Sequence, residues 1–139
     1  MTPEQLALVE ESLAAVSDRM DEVAGDFYRR LFTADPDLVL MFATDPAVQR
    51  AKFSTELRQI IFSIRNHEAF LGRARALGVR HKELGVRAAH YRLVGAALLA
   101  ALAAALGDAW NDDVAHAWQL AYNLTAEAMM VGAADVVAG

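Results

Sequence analysis

Apolar side chains recur at intervals of three and four residues along most of the chain, which is the period of an α-helix with one buried face. No segment combines a sustained apolar–polar alternation with β-branched residues, the pattern typical of strands. The helical pattern is clearest over residues 71–84, where the apolar stripe also carries a histidine. This stripe consists of Leu71, Ala74, Leu77, Gly78, His81 and Leu84.

Capping residues and prolines divide the helical pattern into segments of unequal length. A Ser, Thr, Asp or Asn side chain at a helix start accepts a free backbone N–H, and proline suits the first helical position. These signals predict an all-α domain of seven or eight helices over residues 1–139. Helix starts are predicted at Thr2-Pro3, Asp35-Pro36, Asp45-Pro46, Asn66 and Asn111, and breaks at Ser17-Asp18, Asn66-His67 and Gly107-Asp108.

Composition and charge narrow the classes of partner. Hydrophobic residues make up 55% of the chain, which is enough for a large core or for a core wrapped around an apolar ligand. The net charge is −5 and no basic block is present, so nucleic acids and anionic membranes are not expected partners. The chain has no cysteine, which excludes a disulfide frame, an iron–sulfur site and a thioether-linked cofactor.

The ends and the apolar runs predict a soluble, cytoplasmic protein. The N-terminal sequence MTPEQLALVEE is acidic and polar, unlike a signal peptide. The longest apolar run, residues 93–106, is mostly alanine and is shorter than a membrane-spanning helix. We therefore expect this run to form a buried helix.

His81 is the residue with the most evident potential for chemistry. Its place on the apolar stripe points it toward the core, and the carbonyl of Leu77 one turn earlier could accept a proton from its ring. An imidazole on an apolar face is more often an interior side chain than a ligand, although histidine is also the commonest metal ligand. The residues alone leave both interpretations open.

A longer pattern around His81 resembles that of the bacterial globins, the single-domain haemoglobins and the globin half of flavohaemoglobins. The pattern is LG-x-RH-x-x-x-GV-x-x-x-HY-x-x-VG-x-x-LL, followed by LGDAW and AWQLAY. The resemblance covers nearly the whole chain and is weakest at both ends. It implies a globin fold, a non-covalent haem b (iron protoporphyrin IX), and His81 as the proximal ligand of the iron. The unequal helix lengths fit such a packing better than a four-helix bundle.

The resemblance also assigns residues to the haem pocket. Phe42 would stack on the haem, and Phe53 and Gln49 would lie over the distal side of the iron. The match FYRRLF places the hydroxyl of Tyr28 in the same distal pocket. Without the resemblance, these are core or boundary aromatics and a solvated first-turn glutamine. Lys52 is either a partner of a haem propionate, a sixth ligand, or a solvated lysine.

The proximal side departs from the family pattern. There the position of Tyr91 joins the ligand histidine and a glutamate in a hydrogen-bond network, but the glutamate position falls on Ala133. The nearest acids in the sequence are Glu127 and Asp135. A proximal imidazole without a carboxylate partner pushes less electron density onto iron, which disfavours peroxidase-like or fast dioxygenase chemistry. The other histidines, His67, His90 and His116, are expected to be structural or solvated, so coordination by two histidines is not expected.

Three functions are compatible with these observations. The first is reversible binding of O2, CO and NO in oxygen transport, storage or nitric oxide handling, by a monomer or a homodimer. The second is a nitric oxide dioxygenase that works with an external reductase, because the resembled two-domain enzymes carry a reductase domain. The third is a haem-free signalling module with a globin fold.

Overall fold

Every regular element in the described part of the chain is helical, as the sequence predicts. The computed structural model describes residues 1–42 and 45–138, and for residues 135–138 it describes the backbone alone. Within these residues there are six α-helices and three short 3-10 helices. The α-helices are α1 (Pro3–Ala15), α2 (Met20–Ala34), α3 (Pro46–Ser63), α4 (His67–Glu83), α5 (Ala88–Leu106) and α6 (Asp112–Ala138), and the 3-10 helices span Ser17–Arg19, Pro36–Met41 and Gly107–Ala109.

The predicted caps form the predicted hydrogen bonds. The Thr2 hydroxyl accepts from the Gln5 backbone N–H at 3.1 Å, and the Gln5 side chain accepts from the Thr2 N–H at 2.8 Å. Asp45 accepts from the N–H two residues further on at 2.8 Å. Asn66 and Asn111 each accept from the N–H three residues further on, at 3.2 and 2.9 Å. These bonds satisfy N–H groups that a helix leaves free at its start.

The core lies where α1, α2, α5 and α6 meet. Trp118 of α6 is 1% exposed, and its indole N–H donates to the Ser12 hydroxyl of α1 at 2.8 Å. This bond lets a large amphipathic ring enter the core without leaving a buried donor unpaired. Other large side chains that are almost fully buried come from the first, second and fifth helices and from the turn after α1, and they include Val9, Val16, Leu31 and Leu102.

Helix α4 crosses α6 at a distance that only glycine permits. A Cβ atom at Gly78 would lie 1.9 Å from the carbonyl oxygen of Met129, and one at Gly132 would lie 2.3 Å from that of Arg75. The two glycines therefore bring the backbones into direct contact. Because Gly78 lies three residues before His81, this crossing fixes the end of α4 that carries the histidine.

The apolar segment that forms α5 is longer in the structure than its sequence run indicated. Helical residues 88–109 are long and apolar enough to cross a membrane by length and composition, with a mean hydropathy of 1.6. The prediction that the apolar segment is shorter than a membrane-spanning helix was therefore wrong, because the helix extends beyond residues 93–106. The core helix of a globular protein can be equally long and apolar, so the length and composition of this helix are weak evidence for a membrane segment. In its most apolar stretch, 28% of the residues are buried inside the protein.

Candidate functional site

His81 lies in the last turn of α4 with its ring held in one orientation. Its Nδ1 atom lies 2.9 Å from the carbonyl oxygen of Leu77, the partner expected from the helical spacing. Since a carbonyl oxygen only accepts, the proton belongs on Nδ1 and the lone pair on Nε2. The Nε2 atom is thereby presented as an acceptor or as a metal ligand.

The surroundings of His81 keep its imidazole neutral. Burial is the largest influence and lowers the pKa of His81, and the positive charge of Arg80 lowers it further. The hydrogen bond to Leu77 and the negative charge of Glu56 act in the opposite direction but do not reverse the shift. A neutral imidazole is the form that binds a metal ion.

Tyr28 of α2 and Gln49 of α3 form a polar pair inside an otherwise apolar region. The Gln49 side-chain amide donates to the Tyr28 hydroxyl at 3.0 Å. Burial raises the pKa of Tyr28, although the bond to Gln49 opposes the shift. The phenol is therefore neutral, and because its oxygen accepts from Gln49, its own proton is free to be donated elsewhere.

Aromatic rings pack around Tyr28, the aromatic member of the pair with Gln49. The ring of Phe53 stacks on Phe27 with centroids 4.4 Å apart, and its centroid lies 5.8 Å from that of Tyr28. Phe42 packs edge-on against both Tyr28 and Phe32, each at 5.4 Å. The structure thus brings together Tyr28, Phe42, Gln49 and Phe53, four residues that the sequence resemblance assigned to one pocket.

Glu56 is a residue of this region that the sequence analysis missed. It follows Gln49 and Phe53 on one face of α3 by the spacing i, i+4, i+7, and its charge acts on His81 of α4. One carboxylate oxygen lies 3.4 Å from Arg73 and the other 3.5 Å from Arg80. The second oxygen is buried without a hydrogen bond, because 3.5 Å is too long for a good one. The helical spacing was visible in the sequence, but its arginine partners were not.

The other predicted ligand candidates lie at the surface or in a helix cap. Lys52 is exposed on α3 and forms no ion pair within the described residues. His67 and His116 are exposed, and His90 accepts from the backbone N–H of Arg87 at 2.9 Å. These positions agree with structural or solvated roles. Across the described residues, no group of three or more His, Asp or Glu side chains is arranged to hold a metal ion directly.

The surroundings of Tyr91 differ from the network expected of the family. Tyr91 is 9% exposed and, with Ala133, borders a cavity of about 450 Å³. The Tyr122 hydroxyl donates to the backbone carbonyl of Tyr91 rather than to its phenol. Glu127 borders a different cavity of about 670 Å³ between α1, α4 and α6, and the side chain of Asp135 is outside the described residues. Neither of these cavities is lined by His81, Tyr28 or Gln49.

The family model for globins matches residues 25–129. A flavohemoprotein of Deinococcus radiodurans is 32% identical over 94% of this chain and 33% of its own length. A flavohemoprotein of Halalkalibacterium halodurans is 28% identical over 91% of the chain and 32% of its own length. The chain therefore spans about a third of the length of the relatives it matches.

A comparison of folds gives the same architecture. A solved structure described as a hexacoordinated heme protein from an anhydrobiotic tardigrade superposes with a TM-score of 0.86. The match covers 96% of this chain and 95% of the other at 18% identity. At this identity the likeness establishes the fold alone, which is the globin fold predicted from the sequence.

Proposed function

We propose, from the premise that this chain belongs to the globin family, that it holds a haem b without a covalent bond to the protein and reversibly binds diatomic gases. The observation that carries the proposal is the state of His81. Its imidazole is neutral, its Nδ1–H donates to the Leu77 carbonyl, and its Nε2 lone pair is left to bind a metal ion. When bound, the haem would supply an iron atom that His81 would hold and that would take O2, CO or NO.

The residues present fit such a group. Imidazole nitrogen is an ordinary ligand of haem iron, and the bond from Nδ1 to the Leu77 carbonyl fixes the ring and its tautomer. The apolar rings of Phe42 and Phe53 provide a wall suited to a porphyrin face. The chain has no cysteine, so thioether attachment is excluded. Exposed Lys52 remains a candidate for pairing with a propionate.

Tyr28 and Gln49 would discriminate among gases. The phenol proton and the second amide proton of Gln49 are both available for a polar ligand, and neither group places a charge in the pocket. Preorganised neutral donors stabilise developing negative charge at a fixed position. We therefore infer that the pair favours O2 over CO, and the surrounding aromatic rings exclude water.

A second candidate function is nitric oxide dioxygenation with an external reductase. The observation in its favour is that the relatives are named flavohemoproteins. Against it, Ala133 offers no side-chain acceptor near Tyr91. A nitric oxide consumption assay with and without an added flavin reductase separates the two functions: reductase-dependent turnover would favour the enzyme.

Absorption spectra of the purified protein test the proposal most cheaply. We expect a Soret band in the ferric, ferrous and CO-bound forms, and extraction of the pigment by acidic organic solvent, which releases a non-covalent haem. A protein that is colourless after expression with excess haem would instead support a haem-free signalling module. For either function we expect the protein to act in the cytoplasm.

A further inference from the structure

The cavity beside Tyr91 has the composition of an anion site. It opens between the end of α4, the connection to α5 and the last part of α6, with a volume of about 450 Å³. Two of its lining residues, Lys82 and Arg87, are cationic, and none of the described lining residues is acidic. Two positive charges at one cavity favour a negatively charged occupant.

Neither cation is paired with a carboxylate in the described part of the chain. The Lys82 ammonium donates to the backbone carbonyl of Ala133 at 3.2 Å, which holds it at the cavity and leaves two of its three protons available. The Arg87 guanidinium forms no ion pair with a described residue and keeps its planar set of donors. An anion in the cavity would meet both groups.

Two further donors face the same space. Tyr91 lines the cavity and is 9% exposed, and its hydroxyl forms no hydrogen bond within the described residues. Ala88 also lines the cavity and begins the 19-residue helix α5, and the N–H groups of Ala88 and Ala89 have no backbone partner within the described residues. A phenol hydroxyl without a hydrogen-bond partner and the positive end of a helix dipole both stabilise an anion.

The rest of the wall is apolar. The side chains of Val86, Met130 and Ala133 complete the lining, so the occupant needs a hydrocarbon part as well as a charged head. We propose that this cavity binds a short-chain aliphatic monocarboxylate, with its carboxylate between Lys82, Arg87 and the Tyr91 hydroxyl and its alkyl chain against Met130. The proposal does not depend on haem.

Butyrate is a suitable probe, and butyramide is its neutral counterpart of nearly equal shape. We would titrate each into protein labelled with ¹³C at the methionine methyl groups. Butyrate should move the Met130 signal saturably and leave that of Met20, buried in the core, unchanged. Butyramide should bind at least about tenfold more weakly, because a charge-assisted hydrogen bond contributes more than 1.4 kcal/mol, a tenfold factor.

Matched variants locate the charge requirement. Lys82→Met and Arg87→Met should each weaken butyrate binding about tenfold. Arg92→Met, which removes an exposed arginine of α5 outside the cavity, should leave it unchanged. Ala133→Glu places a competing carboxylate in the cavity and should abolish binding.

Three results would overturn the proposal. One is equal affinity for butyrate and butyramide, which would mean that the site selects hydrocarbon alone. Another is an equal loss in Arg92→Met and Arg87→Met, which would mean diffuse charge attraction. The third is a Met130 signal that does not move at any butyrate concentration. Since the readout is a methyl resonance, failure here leaves the Soret test of the haem proposal unaffected.

Discussion

The Gln49 amide donates to the Tyr28 hydroxyl at 3.0 Å, across two helices and 21 residues of sequence. This bond sets the orientation of the Tyr28 hydroxyl among the surrounding phenylalanine rings. Because the phenol oxygen is already an acceptor, its O–H is left to donate. The pair therefore acts as a unit, in which Gln49 orients Tyr28 as well as offering a donor of its own.

The first prediction follows from this unit. Tyr28→Phe and Gln49→Leu should each speed O2 release about two- to tenfold, since each removes a neutral hydrogen bond contributing about 0.5–1.5 kcal/mol. CO release should change less, because CO carries less negative charge when bound. Stopped-flow replacement of each gas measures both rates. Equal changes for O2 and CO would indicate a steric role, and additive effects in the double variant would contradict the coupling of the two residues.

The second prediction concerns the helix crossing that fixes the end of α4. Gly132→Ala should lower the free energy of unfolding by about 1–3 kcal/mol, because the new methyl group meets the Arg75 backbone and the helices must separate. Gly72→Ala in α4 is the control, because nothing lies within 4 Å of its Cβ position. That variant should gain about 0.5–1 kcal/mol from reduced backbone freedom. Urea unfolding measures both, and an unchanged Gly132→Ala midpoint would show that the crossing is looser.

The third prediction is a dependence of stability on alkaline pH. Burial raises the pKa of Tyr122, so its folded-state contribution is fully present below the ordinary tyrosine pKa and is lost as pH rises above it. Tyr122→Phe should cost about 1 kcal/mol at pH 7 through its lost bond to the Tyr91 carbonyl. Above about pH 10, ionisation of Tyr122 stabilises only the unfolded wild-type chain. The stability advantage of the wild type over Tyr122→Phe should therefore fall by about 1.4 kcal/mol per pH unit.

Urea unfolding of both proteins between pH 7 and pH 11 checks the third prediction. The wild-type and Tyr122→Phe stabilities should converge above about pH 10 and meet just below about pH 11, where the order reverses. Parallel curves would show that the Tyr122 phenol ionises equally well in the folded and unfolded states, contrary to its burial.

Local features of the fold could be predicted from sequence because they depend on neighbours in the chain. Thr2, Asp45, Asn66 and Asn111 cap helices through bonds that span two or three residues. The bond from His81 to Leu77 spans one helical turn and was expected for the same reason. The pairing of Tyr28 with Gln49 required the family resemblance, since nothing local relates α2 to α3.

Contacts between distant segments could not be predicted. Ser12 meets Trp118 across 106 residues, and Lys82 meets the Ala133 carbonyl across 51. Neither polar residue differs in the sequence from an ordinary surface or core residue. Gly78 and Gly132 likewise carry no local signal of a crossing, because the backbone atoms that exclude a side chain belong to another helix. The positions of Arg73 and Arg80 around Glu56 depend on the same packing.

The central claim is that the Nε2 atom of His81 holds the iron of a haem. Its most direct test is the absorption spectrum of His81→Ala, expressed and purified beside two controls. His90→Ala removes a histidine at the start of α5, and His116→Ala removes an exposed histidine of α6. We predict that His81→Ala loses the Soret band or retains it only weakly, with lower thermal stability because the bound group no longer favours the folded state, while both controls keep the wild-type spectrum. An unchanged spectrum in His81→Ala, or loss of the band in His90→Ala or His116→Ala instead, would contradict the claim.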